Sequence, residues 1–183
     1  MIVAEPERIG RIRFAPAMLE ALLKGRKNQT RRLLRSSAAR SQPGDWLWVQ
    51  EPVRILNTAT PVCRIVEVQY GEGGPVRSVP WPPQIASPSA GARVDRFMPR
   101  ELSRLTLVVT AVRVERLQAL TFQDARAEGC LTIEGFASHW DALGGDGWDC
   151  GWASNPEVAV IGFELRRHSV GEIMPMYGSG GVR

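Results

Sequence analysis

Residues 102–117, LSRLTLVVTAVRVERL, constrain the fold more than any other stretch of the chain. Six of the sixteen are β-branched, and branching at Cβ stiffens the side chain in a way that suits a pleated strand. A strand of this length curves rather than lying flat, which points to a barrel-like sheet. The rest of the chain has to supply partners for it.

Several segments can do so. Residues 11–14 (RIRF), 28–34 (NQTRRLL), 46–50 (WLWVQ), 62–70 (VCRIVEVQY) and 158–165 (VAVIGFEL) read as shorter strands, the 46–50 segment by alternation and after a Pro-Gly-Asp turn. Short helices are expected between them. Pro16 stands where a helix can start, Met18, Leu19, Leu22 and Leu23 share one face, and Gly25 is placed to end it. Thr121 with Asp124 three residues on has capping-box spacing ahead of a short helix that stops at Gly129. Residues 136–143 (FASHWDAL) read as one more amphipathic helix, followed by a turn-rich connection over 144–156.

Residues 71–97 lie in a run (71–99) with six prolines and no periodicity, and are expected to form an irregular insertion rather than core. The glycine-rich residues 169–183 read as a flexible tail. The expectation is a single α+β domain over residues 1–168, a small barrel with short helices at its ends. No βαβ alternation, GxGxxG or GxxxxGK[ST] is present, which sets aside the Rossmann and P-loop readings.

A chain with 44% hydrophobic and 23% charged residues has the balance of a globular protein. No apolar run reaches membrane-span length, and Glu5 and Glu7 sit where a signal peptide needs apolar residues, so a cytoplasmic protein is expected. Cys63, Cys130 and Cys150 are widely spaced and odd in number, which argues against a disulfide framework and a structural zinc site. His139 and His168 have no partner at ligand spacing, so no metal and no cofactor is expected.

The net charge of +4 is unevenly placed. The first 50 residues hold ten Lys/Arg and four acids, and the remaining 133 hold 13 basic and 15 acidic groups. All the excess positive charge therefore lies in the first quarter, which suits a polyanion such as nucleic acid, or else a solvated basic face. Only two of the 23 basic residues are lysines, Lys24 and Lys27. A desolvated lysine can act as a base where an arginine cannot readily do so.

GRKNQTRR (25–32), PGDWLWVQE (43–51), MPRELSRLTLVVTAVRVERLQALTFQDARAEG (98–129) and NPEVAVIGFEL (155–165) together resemble the ASCH family, named for homology to a transcriptional coactivator, and most closely its bacteriophage and prophage-encoded branch. The resemblance covers most of residues 9–166 in the family's order and leaves 71–97 and the tail outside. It implies a PUA-like β-barrel with a nucleic-acid-binding cleft lined by the loop after the first helix. Some small bacterial members are amidohydrolases that deacetylate acetylcytidine; others are described as RNA-binding proteins or ribonucleases. The amidohydrolase pattern, a Lys, a Thr three residues later and a Glu ending a later short helix, falls on Lys27, Thr30 and Glu128. This chain is longer than those members and carries an insertion they lack.

The resemblance thus implies a binding partner that is RNA, single-stranded nucleic acid or a modified nucleoside. It implies Lys27 as base, Thr30 as nucleophile and Glu128 managing the leaving amine, a chemistry in which a weak hydroxyl needs a neighbouring base. Strand alternation would turn positions 27 and 30 to opposite sides unless the chain turns near Gly25. Arg26, Arg31, Arg32 and Arg100 are candidate phosphate contacts, or simple surface charges. Trp46 and Trp48 share a strand face, spaced either to stack bases or to pack the barrel. Glu51 either reads a base edge or forms a salt bridge. A non-catalytic reader of nucleic acid or of a modified base, and a phage-encoded protein-interaction module, remain the alternatives to the enzyme.

Overall fold

The structure, a computed structural model, describes residues 6–58, 60, 63–143 and 149–178. The expectations for residues 144–148, for residue 62, and for the end of the tail beyond 178 lie outside the described residues. The chain is a mixed α+β protein that divides into two compact units, where the sequence predicts a single domain. One comprises residues 6–47 and 107–166; the other is built on 48–106 and 167–178. No helix among the described residues is long and apolar enough to cross a membrane.

The strands are β1 (Ile9–Arg13), β2 (Gln29–Leu33), β3 (Trp46–Gln50), β4 (Val53–Ile55), β5 (Ile65–Tyr70), β6 (Val76–Pro80), β7 (Arg93–Val94), β8 (Thr106–Arg116) and β9 (Glu157–Arg166). The helices are α1 (Pro16–Leu23), α2 (Phe122–Ala127), α3 (Ile133–Ala142) and α4 (Val170–Gly178). Two sheets form, in the orders β1-β3-β8-β9-β2 and β6-β5-β4-β7. Both are open ladders; the closed barrel expected from the long strand is not among the pairings of the described residues.

In the unit of residues 6–47 and 107–166, β2 pairs antiparallel with β9, Gln29 opposite Gly162, Arg31 opposite Val160 and Leu33 opposite Val158. Val158 and Val160 therefore face the same side as the odd-numbered residues of β2. That side is covered by α2 and α3, whose Ala125 and Phe136 join Leu117, Leu120 and Cys130 in one buried cluster. Thr121 caps α2 through the expected capping box, and Thr132 caps α3 by accepting from Gly135 N. Helix α2 ends in a left-handed residue, Gly129 (φ 91°), with Cys130 N donating to Ala125 O at 2.9 Å, the usual way a helix satisfies its last carbonyls.

In the other unit, residues 71–97 are irregular over most of their length, as their composition suggests, but hold two short strands. Strands β6 and β7 take the two edges of a four-stranded antiparallel sheet, with Ile65 opposite Pro80 and Arg54 opposite Arg93. An edge strand tolerates Pro80 because it need not donate on its open side. Alternation on β5 buries Val66, Val68 and Tyr70 against Val53, Ile55, Trp81, Met98 and Leu102. Burying each such aliphatic side chain contributes about 2 kcal/mol. The proline-rich loop satisfies its carbonyls with side chains, as buried backbone acceptors require. Arg64 donates to Pro82 O at 2.8 Å and Ile85 O at 3.1 Å, and Trp81 Nε1 to Ala86 O at 3.1 Å. Residues 170–178 form α4, with Val170 and Ile173 buried, where composition predicts a tail without structure.

Candidate functional site

The loop after α1 positions Lys27 by backbone hydrogen bonds alone. Helix α1 closes at Gly25 (φ 71°), where glycine tolerates the left-handed turn. Arg26 N and Lys27 N both donate to Ala21 O, at 2.9 and 3.3 Å. Asn28 then donates to Ala127 O at the end of α2, and its own carbonyl accepts from Phe163 N of β9. Clamped on both sides, Lys27 is turned inward and is 4% exposed.

Its ammonium meets Glu128, the residue that caps α2 ahead of Gly129. Nζ donates to Glu128 Oε2 and to Glu128 O, each at 2.8 Å, and lies 5.5 Å from the centre of the Phe14 ring. The other carboxylate oxygen of Glu128 accepts from Arg31 Nη1 at 3.2 Å. Arg31 continues to Glu115, and its Nη2 is 3.5 Å from Asp124 Oδ2. Asp124 Oδ1 also accepts from Gln29 Nε2 at 3.0 Å and Arg113 Nη2 at 2.9 Å, and Arg113 Nε donates to Glu115 at 2.9 Å. Three cations (Lys27, Arg31, Arg113) thus face three carboxylates (Glu115, Asp124, Glu128), and the cluster is balanced in charge.

Burial is the dominant influence on Lys27 and pushes its pKa down, with the Glu128 carboxylate opposing the shift. Burial also lowers His139 and raises the Cys130 thiol. Burial would raise Asp124, but its hydrogen bonds from Gln29 and Thr121 and the Arg31 charge outweigh this and hold it below the usual carboxylate range. A lysine amine whose pKa is lowered by burial and that is held against a carboxylate has a partner with which to exchange a proton. Beside the pair opens a cleft of about 310 Å³ lined by Arg26, Asn28, Arg126, Ala127, Gly129, Cys130 and Leu131. A methyl group placed on Gly129 would sit 3.4 Å from Lys27 Cβ, which puts the wall of the cleft against the pair.

Of the three expected catalytic residues, the structure brings Lys27 and Glu128 into contact. Thr30 is 1% exposed in the middle of β2, opposite Ile161. Its neighbours Gln29 and Arg31 both reach the α2 carboxylates, so by alternation Thr30 faces the other side of the strand. No hydrogen bond joins it to Lys27 or Glu128 among the described residues.

The expected binding residues separate by burial. Arg26 and Arg100 are exposed and open to a ligand. Arg31 is closed to phosphate, since its side chain is wholly buried and committed to carboxylates. Arg32 is half-buried and donates to the carbonyls of Arg31 and Arg13. Trp46 has no exposed surface and packs the interior, so a base cannot reach its ring; Trp48 is half-buried. Glu51 does not read a base edge, because it is 2% exposed and its carboxylate is occupied by Arg104 Nε and Nη2 at 2.8–3.2 Å.

The residues that sequence reasoning missed are Gln29, Arg113, Glu115 and the second role of Asp124. Arg113 and Glu115, two apart on β8, necessarily share a face, and that spacing was the signal to be read. Among the described residues no group of three or more His, Cys, Asp or Glu is placed to hold a metal ion. Compared with known proteins, the chain matches no family model, no curated protein and no solved structure.

Proposed function

We propose that this chain is an ASCH-type protein of PUA-like fold that binds RNA or a nucleotide and removes an acyl group from a modified cytidine. The observation that carries the reading is the buried Lys27–Glu128 pair, whose chain neighbours Arg26, Asn28, Ala127 and Gly129 line a cleft, with burial lowering the lysine pKa. A cleft of this size suits a nucleoside, and the exposed Arg26 and the neighbouring Arg126 suit its phosphates.

In this reaction the Lys27 ammonium passes its proton to Glu128, and the amine so freed accepts a proton from water as the water oxygen bonds to the acyl carbonyl carbon. The bond from that carbon to the exocyclic nitrogen then breaks, and the leaving amine takes its proton from Lys27 with Glu128 holding the ammonium in place. The carboxylic acid then leaves, and Glu128 returns its proton to Lys27 to restore the pair. Lys27 acts as base and acid in turn, so no metal enters the scheme.

The test is to incubate the purified protein with N4-acetylcytidine and with plain RNA, following deacylated product and chain cleavage. Expected is deacylation, with Lys27→Ala and Glu128→Ala each lowering the rate at least a hundredfold and Thr30→Ala leaving turnover in place. Loss of turnover in a folded Thr30→Ala makes Thr30 the nucleophile instead. Cleaved RNA with untouched acetylcytidine replaces the reaction by a ribonuclease. A second reading is favoured by the closure of the pair: Lys27 Nζ is already satisfied by two Glu128 oxygens, as in a pocket that only recognises a base. Binding without either product supports it.

A further inference from the structure

The segment that follows β7 carries a feature that the Lys27 cleft does not use. Phe97 is 85% exposed, the highest value among the large apolar side chains described. An isolated exposed phenylalanine is ordinary, but this one is held out on a tied-down strap. On its amino side Arg96 O accepts from Gln50 Nε2 at 3.1 Å. On its carboxyl side Met98 is 3% exposed in the core, its N–H donates to Asp95 O at 3.2 Å, and its sulfur accepts from Glu51 N at 3.4 Å. The ring therefore projects from a backbone already fixed on both sides, which lowers the entropy lost when it meets a partner.

The charges around it are mostly positive. Residues 93–100, RVDRFMPR, hold three arginines and a single acid, Asp95, and Arg93, Arg96 and Arg100 are all exposed. Arg93 lies directly opposite Arg54 across β4 and β7, so two guanidinium groups share one face of the sheet. Like charges at directly opposed positions repel unless an anion lies between them. Glu72, 91% exposed, lies 3.7 Å from Arg93. Arg54, Arg93, Gln69 and the backbone of Gly71, Gly73 and Gly91 border a cleft of about 500 Å³. Each of these glycines opens onto free space, so backbone can approach it closely.

We infer that this face binds single-stranded nucleic acid, with Phe97 stacking on a base and Arg54, Arg93, Arg96 and Arg100 contacting successive phosphates. An exposed aromatic ring interleaved with arginines matches the stacking and phosphate chemistry of a single strand. A membrane would call for more apolar surface than one ring supplies, and a rigid duplex hides the base faces that Phe97 would cover. The surface uses none of Lys27, Thr30 or Glu128, so it extends the proposed function without depending on it.

The experiment is fluorescence anisotropy of labelled 12-nucleotide single-stranded RNA and DNA titrated with the full chain at salt concentrations from about 50 to about 200 mM. Affinity is expected to fall with salt, and Phe97→Ala to weaken binding at least fivefold with the salt slope unchanged. Arg96→Ala, Arg100→Ala and the double substitution Arg54→Ala/Arg93→Ala are each expected to weaken binding and to flatten the slope by about 0.7 for every phosphate no longer neutralised. RNA tighter than DNA, or the reverse, identifies the source and supports the inference either way. Wild-type affinity in Phe97→Ala, unaltered slopes in the arginine variants, or no binding at the lowest salt overturns it. So does concentration-dependent dimerisation that Phe97→Ala abolishes, which would make the ring a contact between copies. Deacylation is not read in this assay, so an inactive protein leaves the inference standing, and an active one without Phe97-dependent binding removes this inference alone.

Discussion

Glu128→Gln is the most informative perturbation of the buried cluster. It keeps the shape of the side chain and the Lys27 bond to the Glu128 carbonyl, and removes only the negative charge. Lys27 then has no carboxylate, while Arg31 keeps Glu115 and Asp124. Leaving one member of a buried pair uncompensated costs about 3–5 kcal/mol. Loss of the lysine proton caps that cost, because neutralising a group of ordinary pKa 10.5 at pH 7 costs about 5 kcal/mol. The two routes agree on a loss of about 3–5 kcal/mol at pH 7.

The pH dependence separates this mechanism from general damage. If Lys27 is neutral in the folded variant, the unfolded chain binds one more proton than the native state below the ordinary lysine pKa of 10.5. Stability then rises with pH, by about 3 kcal/mol between pH 7 and 9.5. The assay is urea unfolding of wild type and Glu128→Gln across that range, below the region where Tyr70 titrates. A double substitution, Lys27→Met with Glu128→Leu, should recover stability to within about 1 kcal/mol of wild type, because well-packed apolar residues replace a buried pair at little cost. A loss below about 1 kcal/mol in Glu128→Gln, or one that does not change with pH, would refute the reasoning.

Other consequences follow from individual contacts. Asp124 is held below its ordinary pKa near 3.8, so its stabilisation is complete above that pH and lost as pH falls through the lowered value; acid unfolding should be shallower in Asp124→Asn. Gly129→Ala places a methyl 2.8 Å from Ala21 Cβ at φ 91° and should cost about 2–4 kcal/mol by calorimetry, with α1 displaced from Lys27. Tyr70, whose pKa burial and the Glu51 charge raise to about 12, favours the fold below pH 10 and loses that advantage between 10 and 12. Tyr70→Phe should remove this alkaline fall while costing about 1–3 kcal/mol at pH 7, because Leu102 O loses its 2.6 Å donor.

Local features were legible wherever the physics was local. The capping box at Thr121 and Asp124, the proline start and glycine stop of α1, and the β-branched run of β8 depend on neighbours within a few residues. The singularity of Lys27 in an arginine-rich chain was visible for the same reason, since composition is a property of the chain itself. What the chain does with those residues was set by register and docking. Arg31 looks like Arg32 in sequence, yet the pairing of β2 with β9 turns one into a carboxylate cluster and leaves the other on backbone carbonyls. Asp124 reads as a cap and is also the acceptor for Gln29 and Arg113, because α2 lies over their face of the sheet. The proline-rich segment departs from its expectation only at β6 and β7, for a related cause. Its prolines exclude a central strand but not an edge. Its loop is ordered by Arg64 and Trp81 through hydrogen bonds to carbonyls that no local pattern announces. Periodicity reports which face of an element is apolar; only the folded chain determines which distant charge or carbonyl that face will meet.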